Sequence, residues 1–420
     1  MKRTFVLIVL LHISSFLYSQ QSWQPLYIND TIHPISILPI SHDTIIFGIY
    51  PSGEYPNGGV YRSIDGGVSW QFHVIEYGTW GVYSLLLVEN EAIYAGTNWG
   101  VFKSVNWGEN WEHILTTNKN CISLENLSPS TLFVGSWGFL SRSTDNGITW
   151  DTCLVLHQNT VINSILAVSD SLIYLAATSY TSTDGGLYVS YDGGGSWNRI
   201  GLVMYNIQSL AISPNDELYA GCYYSGLYKS EDYGFTWENV LPDMDAVSVV
   251  TRGNEVFVGC EDQSFLTSGI FYSGDGGETW EDRTHNMTNK SIEQIAFSHD
   301  DYLYSLSKWE YLSLGPPLNR SMNPVVGVQS KNIKACEIYT YPNPCNNYLN
   351  ITIPESICYK GSSIKVYLYN LAGDVISIES IQNYQENIFV RLNVSQYMPG
   401  LYIIKLSCEK QTLSKKILIQ

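Results

Sequence analysis

The sequence predicts an all-β protein, and three observations support this fold class. Gly (34), Tyr (31) and Trp (12) are abundant and charged residues make up only 15% of the chain, which is typical of loop-rich sheets packed through aromatic side chains. A Ser-x-Asp-x-Gly-x-x-Trp motif recurs at intervals of 39 to 47 residues. Strand-like segments precede and follow each motif. Together these observations predict a β-propeller with seven four-stranded antiparallel blades, followed by a small C-terminal β-sandwich.

Residues 1–19 are predicted to form a signal peptide. Lys2 and Arg3 precede an apolar run, Phe5–Leu11, that is too short to span a bilayer, and Ser19 offers a small residue for cleavage. The alternative is a buried N-terminal strand. No later segment is long and apolar enough to cross a membrane, so we expect no transmembrane segment and export through the periplasm.

The repeated motif contains the residue that we expect to hold each turn. An Asp carboxylate can accept backbone N–H bonds inside a hairpin, and Gly permits the positive φ that such a turn requires. The Trp that ends the motif begins the next strand and buries its ring. The motif positions are Asp65, Asn106, Asp145, Asp192, Asp232 and Asp275. We expect these side chains to have a structural role and no catalytic one.

Each repeat contains four segments with the character of strands. The first is exemplified by VYSLLLV, the second by AIYAGT, the third by GVYRS, and the fourth follows the Trp. We label these strands A to D in chain order. Four strands in a period of this length predict one propeller blade.

The seventh repeat is predicted to be completed by the N-terminus. Its first three strands are assigned to Ile292–Ser298, Tyr302–Ser307 and Tyr311–Leu314, and no fourth strand follows them. Ser22–Leu26 resembles the segments that follow the other tryptophans, so we expect it to close the ring and remove the exposed edges. The propeller is therefore assigned to residues 20–314, and residues 315–335, which begin Gly-Pro-Pro, to a linker.

These repeats resemble the Asp-box (bacterial neuraminidase) repeats of sialidases, sortilin-type receptors, xyloglucanase-type hydrolases and a photosystem assembly factor. The resemblance extends from about Gln20 to Leu314. It implies the propeller architecture but no particular activity, because that fold serves both enzymes and binding proteins.

The C-terminal section, residues 336–420, has a different set of motifs. Tyr341-Pro342-Asn343-Pro344 precedes an alternating strand, and the segments NLAG, PGLY and a basic-apolar tail follow. This order resembles the C-terminal sorting domain of type IX secretion substrates. The resemblance implies the type IX secretion machinery as a partner and a secreted or outer-surface location. The alternative is a general adhesive sandwich domain.

Charge and cysteine usage exclude several classes of function. The formal net charge of −17 disfavours nucleic acid as a partner, since an acidic body repels phosphate backbones. The eight cysteines show no CxxC or His-rich spacing, so we expect no metal and no cofactor. Disulfides are permitted in an exported chain, and the four cysteines of the last section leave three pairings open.

Strand order predicts which face of the propeller binds a ligand. The A–B and C–D turns share one face, and the B–C loops and D–A crossings share the other. The B–C loops vary in length, and variable loops on a rigid scaffold usually carry function. Candidate ligand-binding side chains on this face are Trp80, Trp99, Trp137, Tyr180, Tyr223, Tyr224 and Trp309.

Trp99 and Trp137 are expected at matching positions in neighbouring blades, in TNWG and SWG. Their flat rings suit stacking on sugars or anchoring a protein partner. The alternative is that some of the candidate rings simply plug the propeller mouth.

The sequence predicts an exported, non-catalytic propeller that binds a glycan or a protein. The alternative is a glycoside hydrolase that uses two carboxylates in the propeller mouth. Candidate carboxylates are Glu54, Glu76, Asp184, Glu261, Asp262 and Glu310. A sialidase is disfavoured because it needs three arginines around a carboxylate, whereas Arg62, Arg142 and Arg199 lie outside the B–C loops. A purely structural surface component is a third possibility.

Overall fold

The computed structural model describes the chain from residue 22 to residue 419, with gaps. The described ranges are 22–28, 32–51, 57–89, 92–261, 268–308, 317–325, 339–341, 345, 347–353, 363–370, 375–382, 388–408 and 411–419. Every named element in them is a β-strand. Among these residues, no helix has the length and apolar character needed to cross a membrane.

Seven four-stranded antiparallel sheets follow one another along the chain. The chain begins with β1 (Trp23–Leu26). Sheet one contains β2 (His33–Pro39), β3 (Ile45–Tyr50), β4 (Gly59–Ser63) and β5 (Gln71–Val74). Sheet two contains β6 (Val82–Val88), β7 (Ala92–Thr97), β8 (Gly100–Ser104) and β9 (Glu112–Thr116). Sheet three contains β10 (Cys121–Ser128), β11 (Thr131–Ser136), β12 (Phe139–Ser143) and β13 (Asp151–Val155).

The same order continues in the later sheets. Sheet four contains β14 (Thr160–Ala167), β15 (Ile173–Ser179), β16 (Gly186–Ser190) and β17 (Asn198–Gly201). Sheet five contains β18 (Asn206–Ile212), β19 (Leu218–Tyr223), β20 (Gly226–Ser230) and β21 (Glu238–Leu241). Sheet six contains β22 (Asp245–Arg252), β23 (Glu255–Glu261), β24 (Gly269–Ser273) and β25 (Glu281–Asp282). Sheet seven contains β26 (Ile292–Phe297), β27 (Leu303–Ser307), β28 (Leu318–Ser321) and β1.

The seven A strands contact one another in a closed circle. Each A strand packs against the next one along the chain, and β26 of sheet seven packs against β2 of sheet one. Side-chain hydrogen bonds to the backbone of the next A strand connect the sheets: the Ser36 hydroxyl donates to Val82 O (2.6 Å) and the Ile37 N–H donates to Gln294 Oε1 (3.0 Å). The residues at this position are Ser36, Ser84, Ser123, Ser164, Ser209, Ser248 and Gln294. We call them the inter-sheet ring.

Small residues allow the sheets to approach so closely. The inter-sheet ring residues pair with Gly48, Gly96, Gly135, Ala176, Gly221, Gly259 and Leu306 on the B strands. A Cβ added at Gly48 would lie 2.6 Å from Val82 O of the next sheet, and one at Gly135 would lie 2.5 Å from the Ile162 side chain. Larger side chains at these two positions would therefore push neighbouring sheets apart.

The N-terminal strand completes sheet seven, as predicted. Trp23 pairs with Ser321 and Leu26 pairs with Leu318, and the Trp23 indole N–H donates to Arg283 O (2.8 Å). The predicted third strand of this sheet is wrong. Residues 311–314 lie outside the described residues, and the strand that pairs with β1 and β27 is β28, within the predicted linker. The propeller therefore extends beyond residue 314.

Each Asp motif ties its own C–D turn together. In sheet one the Ser69 N–H and the Ser63 hydroxyl both donate to Asp65 Oδ1 (2.9 and 2.8 Å), and the Gly67 N–H donates to Ser63 Oγ (2.8 Å). Equivalent bonds to an Oδ1 atom occur at Asn106, Asp145, Asp192, Asp232 and Asp275. The hydroxyls of Ser69 and Thr279, which donate to Oδ2 of Asp65 and Asp275, together with the backbone bonds hold the pKa of these two carboxyls down at about 2.

The C-terminal section forms two further sheets. The first contains β29 (Tyr339–Tyr341), β30 (Tyr348–Ile353) and β33 (Ile388–Asn393). The second contains β31 (Ser363–Asn370), β32 (Val375–Gln382), β34 (Gly400–Cys408) and β35 (Gln411–Ile419). Both contribute to a single core, with Leu349 and Val390 from the first sheet packed together with Ile364, Ile404 and Ile417 from the second.

Candidate functional site

The two faces of the ring carry different connections, as the strand order predicts. On one face the C–D turn bonds to the A–B turn of the same sheet, for example through Gly66 N–H to Asp43 O (3.0 Å). On the other, B–C loops bond to D–A segments, for example through Gly58 N–H to Thr79 O (2.6 Å). We call the first the turn face and the second the mouth face.

Exposed aromatic rings converge at the crossing between sheets one and two. The Trp99 indole N–H donates to Gly78 O (2.7 Å), and the Trp80 N–H donates to Asn98 Oδ1 (2.7 Å). Both rings are exposed, Trp80 by 62% and Trp99 by 48%, and Tyr77 in the same crossing is 85% exposed. The sequence analysis did not single out Tyr77. These three rings form what we call the aromatic platform.

Trp99 and Trp137 do not occupy matching positions, so that expectation is wrong. Gly96 pairs with Val101 and Gly135 pairs with Leu140, so the two turns align without an insertion. In this alignment Trp137 corresponds to Asn98, and Trp99 corresponds to Gly138. Trp137 is half-buried and bridges to Val161 of the next sheet, whereas Trp99 remains exposed.

The other candidate rings lie elsewhere on the mouth face. Tyr180 is exposed in the B–C loop of sheet four. Tyr223 ends the B strand of sheet five and Tyr224 follows it, with ring centroids 4.1 Å apart, and Tyr224 is exposed. Trp309 lies outside the described residues.

The residue two positions after each inter-sheet ring partner lies at the mouth. These seven equivalent residues are Tyr50, Asn98, Trp137, Thr178, Tyr223, Glu261 and Lys308. We call them the rim. Neighbouring rim residues of sheets five to seven contact each other. The Tyr223 hydroxyl donates to Glu261 Oε1 (3.3 Å), and the Lys308 ammonium contacts the same atom.

A second carboxyl group lies beside these rim residues. Glu293 is in the bulge of β26, where the register shifts between Ile292 and Gln294. Burial raises the pKa of the Glu293 carboxyl to about 7; the charge of Glu261 adds to this shift and that of Lys308 opposes it. The Glu293 side chain is partly buried. At the position equivalent to Glu293 the other A strands have uncharged residues. A charged residue at this position was therefore the signal in the sequence.

Glu125 in sheet three provides a comparison. Burial raises the pKa of the Glu125 carboxyl to about 7, and no charged group contributes to this shift. Burial alone therefore raises a carboxyl pKa in this propeller, while the second carboxylate and the ammonium distinguish Glu293 from Glu125.

The other predicted carboxylates have local partners or lie outside the description. Glu76 Oε2 lies 3.7 Å from His113 Nδ1, and Asp184 Oδ2 accepts the His157 N–H (2.8 Å). Three candidates fall outside the described residues, namely Glu54, Asp262 and Glu310.

The arginines considered for a sialidase site contact backbone carbonyls. Arg62 donates to Trp107 O (3.1 Å), Arg142 donates to Gly193 O (3.2 Å), and Arg199 donates to Thr183 O. Arg62 and Arg142 thus attach their own sheets to the Asp turns of the next ones.

Cysteine side chains in the propeller are thiols. Cys121, Cys153, Cys222 and Cys260 are unpaired, and burial raises the pKa of each. Within the described ranges, no group of three His, Cys, Asp or Glu side chains is arranged to hold a metal ion.

Residues 339–420 match the family model for the "Secretion system C-terminal sorting domain". A sorting domain of this type implies interaction with the type IX secretion system and export to the cell surface or the medium. No curated protein matches the chain.

Several solved structures are similar in fold. The GH74 xyloglucanase from Xanthomonas campestris is 14% identical with a TM-score of 0.53, and the match covers 80% of this chain and 60% of that one. PorZ, a surface component of the type IX secretion system of Porphyromonas gingivalis, is 12% identical (TM-score 0.51; 91% and 58% covered). YCF48 bound to D1 peptide is 14% identical (TM-score 0.53; 73% and 96% covered).

At these identities the likeness shows the fold alone, which together with the closed ring of sheets is that of a β-propeller. The chain spans about three fifths of the length of the xyloglucanase and of PorZ.

Proposed function

We propose that the chain is an exported binding protein that holds an extracellular glycan on its mouth face. The observation that carries this proposal is the aromatic platform, in which Tyr77, Trp80 and Trp99 expose their rings around one crossing. Exposed aromatic groups at a single place on a soluble protein mark binding surfaces, and flat rings stack on the apolar faces of sugars.

The fixed geometry of the platform favours a glycan over a protein ligand. The Trp99 indole N–H is already bonded to Gly78 O, and the backbone N–H of Trp80 is bonded to Asn98. The Trp99 ring is therefore held in place before a ligand binds and loses little conformational freedom on binding, which suits stacking on a rigid sugar.

The test combines a glycan array with two kinds of variant in the full-length mature protein. Trp80→Ala and Trp99→Ala should each weaken binding to a glycan hit by about 1–3 kcal/mol if the rings stack as aromatic platforms do. Both should fold, because the rings are exposed. Phe235→Ala is the matched control, since Phe235 is 46% exposed but lies in an Asp turn on the turn face.

Unchanged affinity in Trp80→Ala and Trp99→Ala would refute the platform. Binding of a peptide library in place of glycans would favour a protein ligand.

A glycoside hydrolase is the second candidate, and Glu261 and Glu293 favour it. A general acid works best with a pKa near the working pH, and the Glu293 carboxyl has a pKa of about 7 beside the Glu261 carboxylate. Release of reducing sugar from the array hits, lost in Glu293→Gln, would favour this alternative over simple binding.

We further propose how the rest of the chain is divided into segments. Residues 1–19 form a signal peptide, the six motif turns belong to the Asp-box group, and the propeller runs from residue 20 to about Val325. Val325 supports this boundary because its N–H donates to Asp301 O (2.7 Å) and its side chain packs against the core around Trp23. The sorting section then occupies residues 336–420, after a shorter linker.

A further inference from the structure

Two carboxyl groups share one described cation on the mouth face. Glu261 ends β23 in sheet six, Glu293 lies in the bulge of β26, and Lys308 follows β27 in sheet seven. The Lys308 ammonium contacts Glu261 Oε1, and its charge also acts on Glu293. When both carboxyls are ionised, one negative charge in this cluster is therefore uncompensated.

The neighbouring sequence and structure add negative charge and no further cation. The segments that follow Glu261 and Lys308, residues 262–267 and 309–316, contain no Lys, Arg or His. Asp245 pairs with Glu261 at the start of β22, and its carboxylate accepts the Tyr224 N–H (2.8 Å). From sheet one, His33 begins the adjoining strand, and burial lowers its pKa, which favours its neutral form.

Glu293 is the group that lacks a partner. Its side chain is half-buried and, among the described residues, has no hydrogen bond and no ion pair. Burial without a partner disfavours the carboxylate and raises its pKa to about 7, so about half of the groups are protonated at pH 7 and most are at pH 6. A ligand that brings its own positive charge would supply what the protein does not.

We propose that Glu261 and Glu293, with the rings of Tyr223 and Tyr224 beside them, form a subsite for the protonated amine of an amino sugar. Lys308 already shows that this site accepts a primary ammonium. The Lys308 side chain is 41% exposed, whereas that of Glu261 is only 10% exposed. The Glu261 carboxylate is therefore enclosed by protein, while the Lys308 ammonium is open to solvent at the mouth. The Tyr223 hydroxyl, which donates to Glu261 Oε1 (3.3 Å), helps to hold this carboxylate in place.

Binding at this subsite is coupled to proton release. An ammonium favours ionised Glu293, so below pH 7 the incoming amine displaces the proton of that carboxyl. No bond to carbon forms or breaks, and the proton passes to the buffer. A neutral sugar would produce no such release.

The inference rests on the proposed glycan-binding function, and the experiment separates the two. The full-length mature protein is titrated calorimetrically with a β-1,4-linked glucosamine hexamer and with the N-acetylglucosamine hexamer. At pH 6 we expect the amine form to bind about 10- to 100-fold more tightly, as for one charge-assisted contact. In buffers of different ionisation enthalpy, its binding should release up to about one proton.

Variants assign the effect to the cluster. Glu261→Gln and Glu293→Gln should remove the preference for the amine, and Glu293→Gln should also abolish proton release. Lys308→Met should increase the preference, because a competing cation is lost. Glu125→Gln is the matched control: it removes another buried carboxyl with a raised pKa, on an A strand of sheet three away from this cluster, and should change neither quantity.

Equal affinities for the two hexamers would overturn the amine subsite while leaving the glycan proposal intact. If neither hexamer binds, the subsite is likewise overturned, and the glycan array decides the broader proposal. A preference that persists in both Glu→Gln variants would also refute it.

Discussion

Arg320 is the side chain whose removal tests most directly how the ring is closed. It is buried in sheet seven, where its guanidinium donates to His42 O (2.9 Å), to Gly66 O (3.4 Å) and to Gln24 Oε1 (2.6 Å). His42 and Gly66 belong to sheet one, and Gln24 belongs to the N-terminal strand. One side chain therefore joins the three segments that meet at the closure.

The expected cost of Arg320→Met follows from these contacts. Two short charge-assisted hydrogen bonds and one longer one are lost; of the three acceptor residues Gly66 is buried, His42 is partly buried and Gln24 is exposed. At about 1.5–3 kcal/mol for each short bond, and with part of the packing restored by Met, the free energy of unfolding should fall by about 3–5 kcal/mol. For a propeller of this size that corresponds to a decrease in Tm of roughly 5–8 °C.

Arg142→Met is the matched control. Arg142 makes the equivalent contact between sheets three and four, but it is half-buried and has one hydrogen bond, at 3.2 Å to Gly193 O. Its loss should cost about 1 kcal/mol. Both variants are compared by urea unfolding followed through tryptophan fluorescence and by calorimetry. Equal destabilisation by the two substitutions would refute the view that the closure depends on Arg320.

Three further predictions concern the Asp turns, the buried Glu125 carboxyl and export. Asp275→Asn keeps the acceptor for Thr279 N–H but loses the Thr279 hydroxyl contact, so urea unfolding at pH 7 should show a cost of about 1 kcal/mol. The wild-type pKa of about 2 lies below the unfolded value, so this difference should disappear as pH falls from about 4 to 2; a constant difference would contradict the assignment. Glu125 has a folded pKa of about 7, above its unfolded value, so wild-type stability should decrease between about pH 4.5 and 7. Glu125→Gln should therefore be more stable than wild type by up to about 3 kcal/mol at pH 8 and equal at pH 4, and a parallel pH profile would be the contrary result. Finally, a chain ending before residue 339 should stay in the periplasm of a host with type IX secretion, as followed by fractionation, and its normal appearance in the medium would contradict the sorting role.

The repeat pattern was sufficient to predict the sheets because each strand has a local signal. Periodic apolar residues define strands A to C. A Trp at its start places strand D, both after the six motif turns and at Trp23 in β1. The third strand of sheet seven was missed because LNRS lacks the usual Gly start and the Gly-x-x-Trp that follows. Yet Arg320-Ser321 repeats Arg62-Ser63 and Arg142-Ser143, and that dipeptide would have identified β28.

Features that depend on neighbouring sheets were harder to predict. The bulge in each A strand changes which side chains face the centre of the ring of sheets, and simple alternation along the strand does not reveal the bulge. For the same reason the inter-sheet ring was not recognised, although Ser recurs in the first strand of six repeats. The predicted match between Trp99 and Trp137 was wrong by one residue. The short sequences TNWG and SWG do not fix the register, which is set by the pairing of the flanking strands.

The repeats also act as an internal comparison that separates scaffold from site. At the inter-sheet ring six of seven residues are serine, because every pair of neighbouring sheets needs the same short hydrogen bond. At the rim, only two residues farther along the paired strand, the seven equivalent side chains include aromatic, amide, hydroxyl, acidic and basic groups. The backbone is the same at both levels, so packing alone does not account for this divergence. The scaffold therefore leaves the residue type at the rim open, and the contact between Glu261 and Lys308 there supports the proposed ligand site at the mouth.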